Sequence, residues 1–147
     1  MLFWMPEEAK RIRVLIVDDH AGMRDGIRAI IDTQPDMEVV GEAANGEEAV
    51  LQFKLHQPDV SLIDYNLPGI CGADVIAAIR HETPAARCVV ITAVNDDNSI
   101  RRAFRAGALG YLHKDLLRRE LLTAIRTIHV GRQYIPRDIA ERLKQDN

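Results

Sequence analysis

The sequence lacks the cysteine pattern of a disulfide-stabilised or zinc-binding protein. Its 147 residues include two cysteines, Cys71 and Cys88, which show neither a CxxC motif nor another metal-ligand spacing. A chain of this length with 47% hydrophobic residues can bury a core large enough to fold without covalent cross-links. A reducing cytoplasm is therefore the expected location.

Long apolar runs are also missing. Nothing approaches the roughly 18 consecutive apolar residues of a membrane-spanning helix. The opening stretch MLFWMP is apolar, but it has neither the basic start nor the length of a secretory signal. We therefore expect no membrane segment, and we interpret residues 1–11 as an N-terminal extension ahead of the fold.

Neither charge sign is in large excess. The chain has 19 Lys and Arg against 22 Asp and Glu, for a net charge of -3. This balance gives no global attraction to nucleic acid or to a membrane surface. With 28% charged residues and no bias toward proline or glycine, the composition is typical of one soluble globular domain that folds alone.

Five short apolar runs alternate along the chain with stretches of helical periodicity. The runs are RVLIV (13–17), MEVVGEA (37–43), DVSLI (59–63), RCVVIT (87–92) and ALGYL (108–112). Near-continuous aliphatic strands joined by helices predict a parallel sheet covered on both faces, hence a doubly wound α/β domain. Five such strands most often take the flavodoxin-like (CheY-like) order 2-1-3-4-5.

Residues that start and stop helices fall between these runs. Pro35 and Pro58 close helical stretches, and Asn45, Asp96 and Asp115 are predicted N-caps. Beyond Gly131, the stretch RQYIPRDIAERLKQDN predicts a turn and a short polar helix with too little apolar surface to fold alone. We interpret residues 131–147 as the beginning of a linker.

Chemically active residue types follow the predicted strands. Asp18 and Asp19 follow the first strand, Asp64 the third, Thr92 ends the fourth, and the fifth leads to Lys114. In the order 2-1-3-4-5 these strands are neighbours, and ligands of open parallel sheets bind beyond the carboxyl ends of the strands. Three carboxylates at one rim suit a hard cation such as Mg²⁺. Together with a lysine and a hydroxyl, they predict a phosphoacceptor site in which one carboxylate attacks phosphorus.

Each of these residues also has a structural interpretation. The pair Asp18–Asp19 could cap the first helix, and Asp64 could bond only to its own turn in YNLPG. Thr92 could be an ordinary strand residue, and Lys114 a solvated charge. Their joint placement at successive strand ends favours the functional interpretation.

Four stretches in this order resemble the receiver domain of bacterial two-component response regulators: LIVDDH, DVSLIDYNLPGICG, VVITA and GALGYLHKD. The resemblance covers about residues 12–130. It implies a signalling domain, not an enzyme, that accepts a phosphoryl group from a sensor histidine kinase in a Mg²⁺-dependent reaction.

The resemblance also implies a role for each matching residue at the rim. Asp64 matches the phosphoacceptor, and Asp18 and Asp19 match the acidic pair that holds Mg²⁺ together with it. Asn66 matches the position whose backbone carbonyl is a further metal ligand.

Three other positions match residues that respond to the phosphoryl group. Lys114 matches the lysine that pairs with the phosphate, and Thr92 matches the switch hydroxyl. Tyr111 matches the aromatic switch position, which turns inward as Thr92 is drawn toward the phosphoryl group.

The stretches NDDNSIRRAFRAGALGYLHKD and ELLTAIRTIHVGRQYIPRDIAERL are similar to NarL/FixJ-type regulators, in which a linker joins the receiver to a LuxR-type helix-turn-helix. We interpret the chain as the N-terminal part of such a transcription regulator, with a stand-alone receiver as the alternative. A homodimer is implied, through the first and fifth helices or through the face of the fourth helix, fifth strand and fifth helix.

Arginines cluster in the stretches predicted as the fourth and fifth helices, and they could form a nucleic-acid surface. They are Arg101, Arg102, Arg105, Arg118, Arg119 and Arg126. Without a reading helix, and with a negative net charge, a solvated face or a protein interface is the better interpretation. DNA contact is therefore expected only through an output domain that this chain does not contain.

Three other functions fit the sequence less well. An aspartyl-nucleophile phosphatase would carry a D-x-D pattern after the first strand, where this chain has D-D-H. A nucleotide-binding protein would carry a phosphate loop rich in Gly, Ser or Thr at that point. A receiver that signals without phosphate is not supported, because all five key positions are filled.

Overall fold

The computed structural model describes residues 10–94 and 96–144. Most of the predicted extension at residues 1–11 therefore lies outside the described residues, as do Asn95 and residues 145–147.

Five parallel strands form one sheet in the order β2-β1-β3-β4-β5, which confirms the predicted topology. The strands are β1 (Ile12–Val17), β2 (Met37–Ala43), β3 (Val60–Asp64), β4 (Cys88–Thr92) and β5 (Gly110–His113). Every residue of β3 and β4 is buried, as expected for central strands covered on both faces.

Helices cover both faces of the sheet, as predicted. They are α1 (Ala21–Asp32), α2 (Gly46–His56), α3 (Gly72–Glu82), α4 (Asp97–Arg105), α5 (Leu117–His129) and α6 (Arg137–Lys144). Successive side chains of a strand point to opposite faces, so Leu15 belongs to a core cluster that includes residues of α2, α3 and α4, whereas Ile16 belongs to a second cluster that includes residues of α1 and α5. Both faces therefore need apolar residues, which explains the near-continuous aliphatic runs.

Two of the three predicted helix caps are confirmed. The side chain of Asn45 accepts a hydrogen bond from Glu48 N, and that of Asp96 accepts one from Ser99 N. The prediction for Asp115 is wrong, because this residue lies in a short 3₁₀ turn (Lys114–Leu116) and α5 begins only at Leu117. The ring of His113, not a carboxylate, accepts the hydrogen bond from Asp115 N.

The chain after α5 returns to the sheet. Tyr134 N donates to Leu109 O and Tyr134 O accepts from Tyr111 N, both at 3.0 Å, so this residue lies along the outer side of β5. Helix α6 then packs beside α4, and its Ile139 is only 1% exposed. The described part of the predicted linker is thus in contact with the domain.

No helix within residues 10–94 and 96–144 combines the length and the apolar character needed to span a bilayer.

Candidate phosphoacceptor site

The strand order brings the predicted site residues to one edge of the sheet. Asp64 and Thr92 are the last residues of β3 and β4, while Asp18 directly follows β1 and Lys114 directly follows β5. Asp18, Asp64 and Thr92 are almost inaccessible, with exposed fractions of 2%, 3% and 0%. Burial of two carboxylates at one rim calls for a compensating charge.

The compensating charge is the ammonium group of Lys114. Its Nζ lies 3.0 Å from Asp64 Oδ2 and 3.2 Å from Asp18 Oδ2, so one cation bridges both buried carboxylates. The bridge joins residues of three strand ends, and it forms because β1, β3, β4 and β5 are successive neighbours in the sheet. The alternative in which Lys114 is a solvated charge is therefore wrong.

The pKa values of two of these groups reflect this packing. Burial raises the pKa of Asp64, and the nearby charge of Asp18 adds to the shift, although hydrogen bonds from Lys114 and from Asn66 N oppose it. Burial alone would lower the pKa of Lys114, but the hydrogen bonds and charges of Asp64 and Asp18 outweigh it, so that pKa is raised. Lys114 therefore remains a cation at neutral pH.

Local backbone hydrogen bonds orient both buried carboxylates. Asp18 Oδ1 accepts from His20 N at 2.8 Å, and Asp64 Oδ1 accepts from Asn66 N at 3.0 Å. The N-cap of α1 is His20, so the interpretation of Asp18 and Asp19 as caps of that helix is wrong. Asp64 does bond to its own turn, as the structural alternative held, and it also binds Lys114 through its other oxygen.

The rim contains a group of residues with the composition of a cation site. Oxygen or nitrogen atoms of Asp18, Asp19, His20 and Asp64 all lie within 4.8 Å of one another. Three carboxylates fit a hard divalent cation, because such ions prefer oxygen ligands. The sequence interpretation assigned no role to His20, although it is the next residue in the D-D-H motif; its Nδ1 lies 3.3 Å from Asp18 Oδ1 and 3.2 Å from Asp19 Oδ1.

An ion-pair network behind the rim holds the backbone of the acidic pair. Arg24 donates to the backbone oxygen of Asp18 at 2.6 Å and to Glu42 Oε1 at 3.0 Å. Arg28, one turn further along α1, donates to Glu42 Oε2. Hydrogen bonds from Arg28 and then Arg24 lower the pKa of Glu42 despite its partial burial. The only sequence signal for this network is the i, i+4 spacing of the two arginines on α1.

Glycine at position 72 allows a close approach behind the Asp64 turn. A Cβ atom at Gly72 would lie 2.4 Å from Asp64 O and 2.8 Å from Tyr65 Cα, both of them backbone atoms that cannot yield. Gly72 N also donates to Tyr65 O at 2.7 Å. The turn from Asp64 to α3 can therefore fold back tightly only with glycine at this position.

The hydroxyl of Thr92 is engaged in its own turn. Thr92 Oγ1 donates to Val94 O at 3.2 Å and accepts from Val94 N at 3.1 Å. The same carbonyl, Val94 O, accepts a hydrogen bond from the Tyr111 hydroxyl at 2.8 Å. Tyr111 is 1% exposed, and burial raises its pKa to about 12. Both predicted switch residues therefore meet at one backbone carbonyl.

An open parallel sheet with two buried aspartates, a bridging lysine and a buried threonine at its carboxyl edge is the arrangement that the sequence predicts for a phosphoacceptor α/β domain. A family model described as "Response regulator receiver domain" matches residues 14–126. The chain belongs to this family. Its members are signalling proteins rather than classical enzymes; receiver domains bind Mg²⁺ at an acidic pocket, interact with sensor kinases and often dimerise.

Similar full-length relatives are response regulators of the NarL type. The chain is 37% identical over 132 residues to the response regulator UvrY of Escherichia coli strain K12, covering 90% of this chain and 61% of UvrY. It is 36% identical over 118 residues to the nitrate/nitrite response regulator protein NarL of the same strain, covering 80% of this chain and 55% of NarL. The chain thus spans only part of the length of these relatives.

A solved structure with the same fold is that of a two-component response regulator of the LuxR family from Aurantimonas sp. SI85-9A1. It matches with a TM-score of 0.86 and 35% sequence identity, over 92% of this chain and 97% of that one. The sequence-based identification as a NarL-type receiver is confirmed.

Proposed function

We propose that this receiver domain is a phosphorylation-activated switch in which Asp64 accepts a phosphoryl group from a sensor histidine kinase. The observation that carries the proposal is the Lys114 bridge, since Nζ lies 3.0 Å from Asp64 Oδ2. This contact places a fixed positive charge at the oxygen that would carry or adjoin the phosphoryl group. Such preorganised charge stabilises phosphoryl transfer.

The carboxylates of the rim fit Mg²⁺. Asp18, Asp19 and Asp64 would hold the ion, with the backbone carbonyl of Asn66 as a further oxygen ligand. When bound, Mg²⁺ supplies positive charge to the oxygens of the transferred group. Asp18 and Asp64 repel each other, and the single ammonium group of Lys114 bridges both of them, which gives the site a reason to bind a second cation.

Asp64 would act as the nucleophile through one carboxylate oxygen. An oxygen–phosphorus bond forms to Asp64 while the bond between phosphorus and the donor group breaks, and the donor leaves with the electron pair. Lys114 neutralises charge on the phosphoryl oxygens. The Thr92 hydroxyl would then turn to donate to one of these oxygens, and Tyr111 would repack with it.

The test is phosphoryl uptake by the isolated chain from acetyl phosphate. With Mg²⁺ present, we expect an acid-labile phosphoryl adduct on Asp64, detected by intact-mass and peptide mass spectrometry. Chelation of the metal with EDTA should reduce the rate of uptake by at least about 100-fold, because the charge of the metal contributes several kcal/mol to the transition state. Uptake at the same rate in EDTA would contradict the proposed role of the acidic rim.

The proposed output is control of transcription. Because the chain spans 61% of UvrY and 55% of NarL, we propose that it is the receiver part of a longer regulator whose DNA-binding domain follows. In this proposal residues 12–130 are the receiver, residues 131–147 lead into the linker, and the regulator acts as a homodimer in the cytoplasm. A stand-alone receiver acting through protein contacts is the second candidate, supported by the packing of the chain after Gly131 against the domain.

Direct DNA binding by the arginines of α4 and α5 has less support. Arg102 lies 3.0 Å from Asp74, and Arg126 lies 3.0 Å from Asp36. Arg101 lies 3.7 Å from Asp97. These carboxylates reduce the positive potential that phosphate backbones would need.

The residue two positions after Thr92 should influence the lifetime of the phosphorylated state. Val94 is 47% exposed near the rim, and its side chain cannot orient an attacking water. Replacing Val94 with asparagine should change the rate of loss of phosphate from Asp64 by about tenfold, because a positioned polar group alters access and orientation of water. The measurement is decay of the acyl phosphate after removal of acetyl phosphate.

Val130→Asn is the matched control for this variant. Val130 is 68% exposed at the end of α5, outside the rim, so decay should match that of the unmodified chain. An equal decay rate in both variants would argue against a role for position 94.

A further inference from the structure

The imidazole ring of His20 lies against both carboxylates of the acidic pair. Its Nδ1 atom lies 3.3 Å from Asp18 Oδ1 and 3.2 Å from Asp19 Oδ1. The rest of the ring is open to solvent, since the side chain is 71% exposed. The rim therefore offers an imidazole nitrogen as well as carboxylate oxygens, and this nitrogen lies where an ion from solution can reach it.

The orientation of His20 is not that of a helix cap. His20 is the N-cap residue of α1, but its side chain makes no capping hydrogen bond to that helix. The residues preferred at this position are Asn, Asp, Ser and Thr, whose side chains accept a hydrogen bond from the first turn. The ring of His20 turns back toward the end of β1 instead. The position thus lacks a stabilising cap and places an imidazole at the rim.

The two oxygens of the Asp18 carboxylate have different partners. Oδ2 lies 3.2 Å from Lys114 Nζ, whereas Oδ1 lies beside the ring of His20. Oδ1 also accepts the backbone N–H of His20 at 2.8 Å, which fixes the carboxylate relative to the residue that carries the ring. A carboxylate oxygen has two lone pairs, so Oδ1 can bind a cation in addition to this N–H. Lys114 therefore does not block the His20 side of the carboxylate.

The separations between these ligand atoms match those around one six-coordinate ion. At a bond length of about 2.1 Å, adjacent ligands of an octahedral cation lie about 3.0 Å apart and opposite ligands about 4.2 Å apart. The nitrogen of His20 lies 3.2 Å and 3.3 Å from oxygens of Asp19 and Asp18. Ligand atoms of these three residues and of Asp64 all lie within 4.8 Å of one another. The four residues can therefore bind one cation together.

We propose that His20 is a nitrogen ligand of the rim cation, and that it raises the affinity of the site for divalent transition-metal ions relative to Mg²⁺. The proposal deepens the proposed function and rests on it, because it needs the cation site of Asp18, Asp19 and Asp64. Mg²⁺ prefers oxygen ligands and gains little from an imidazole. Ions such as Co²⁺, Ni²⁺ and Zn²⁺ bind imidazole nitrogen well, so the ring favours them.

A hydrogen bond from the ring to the carboxylates is the alternative role of His20. In that role Nδ1–H donates to Asp18 or Asp19, and a cation has to displace it. The geometry favours the ligand role, because Nδ1 is nearly equidistant from the two oxygens and at the long end of the N–H···O range of about 2.7–3.2 Å. Loss of a hydrogen-bonded ring would strengthen cation binding, whereas loss of a ligand weakens it.

The experiment is calorimetric titration of the metal-free chain with Co²⁺ and, separately, with Mg²⁺, for the unmodified chain and for His20→Phe. Phenylalanine keeps a ring at this exposed position but has no nitrogen. We expect Co²⁺ to bind at least about tenfold more weakly to the variant, and the affinity for Mg²⁺ to change by less than about threefold. Equal weakening for both ions would overturn the proposed selectivity.

Coordination by nitrogen also has a signature that does not depend on affinity. Co²⁺ is paramagnetic, so an imidazole bound through Nδ1 gives a strongly shifted proton NMR signal from its Nε2–H, which disappears in D₂O. We expect this signal in the unmodified chain with Co²⁺ bound, and its loss in His20→Phe. Absence of the signal from the unmodified chain, or its persistence in the variant, would overturn the role of His20 as a ligand.

His81→Phe is the matched control. His81 is exposed near the end of α3, nine residues beyond Gly72 and so about 13 Å along the helix from the turn that follows Asp64. This variant should keep both the Co²⁺ affinity and the shifted signal of the unmodified chain. The same fall in Co²⁺ affinity in both histidine variants would show that the probe binds surface histidines without selectivity, and would overturn the proposal.

Failure of this proposal differs from failure of the proposed function. If neither Mg²⁺ nor Co²⁺ binds to the unmodified chain, the cation site itself is wrong, and the Mg²⁺-dependent function fails with it. If both ions bind, and bind equally well to His20→Phe, only the role of His20 is wrong and the carboxylate site stands. Tighter binding of both ions to His20→Phe would identify the ring as a competing hydrogen-bond donor and would likewise overturn the ligand role.

Discussion

Replacing Asp64 with asparagine should abolish the uptake of acid-labile phosphate from acetyl phosphate in the presence of Mg²⁺. Asparagine keeps the shape of the side chain but has no carboxylate oxygen to attack phosphorus, so the rate should fall below detection, by at least about 1,000-fold. The measurement is intact-mass spectrometry before and after mild acid treatment. Acid-labile phosphate on the variant would show that another group is the acceptor.

This loss should be chemical and not a consequence of unfolding. Burial raises the pKa of Asp64, which means that the folded state disfavours its charged form. A neutral asparagine should therefore leave the unfolding free energy unchanged or slightly higher. Asp25→Asn, at an exposed position on α1, is the matched control, and it should take up phosphate like the unmodified chain.

Replacing Lys114 with methionine should produce the largest loss of stability among the site variants. The side chain is 15% exposed and bridges two carboxylates that are 2% and 3% exposed. Its removal leaves two like charges buried without their cation, at a cost of about 3 kcal/mol in unfolding free energy. Denaturant unfolding in metal-free buffer measures this difference. Added Mg²⁺ should restore part of the loss, and should stabilise the variant more than the unmodified chain.

Lys54→Met separates this effect from the general loss of a lysine. Lys54 lies 3.2 Å from Glu82, but both side chains are 56% exposed, so the change should stay within about 0.5 kcal/mol. Similar losses in both lysine variants, or equal stabilisation of Lys114→Met and the unmodified chain by Mg²⁺, would contradict the bridging role.

The sheet and the core of the site could be predicted because both depend on simple rules. Aliphatic runs joined by helical stretches leave few arrangements other than a parallel sheet, and a parallel sheet brings the ends of its strands to one edge. The contact between Lys114 and Asp64 follows from strand order alone, although 50 residues separate them in sequence. Prediction of this contact required no motif in which the two residues lie close together in the sequence.

Other contacts depend on tertiary packing that local patterns do not specify. Asp115 has a residue type that is common at N-caps, but its backbone N–H donates to the ring of His113. A 3₁₀ turn precedes α5, so that helix begins only at Leu117. The four-residue spacing of Ile135, Ile139 and Leu143 is visible in the sequence, but a short apolar stripe does not indicate which surface it covers. The contact of Arg24 with the Asp18 backbone likewise depends on the crossing of α1 over β1 and β2.

The position of Tyr134 also protects the sheet from unwanted association. β5 is an edge strand, and unpaired backbone groups on such an edge can recruit a strand from another molecule. Tyr134 occupies two of these groups through its bonds to Leu109 and Tyr111. Tyr134 therefore leaves fewer unpaired backbone groups on this edge, and it guards the domain against edge-to-edge aggregation.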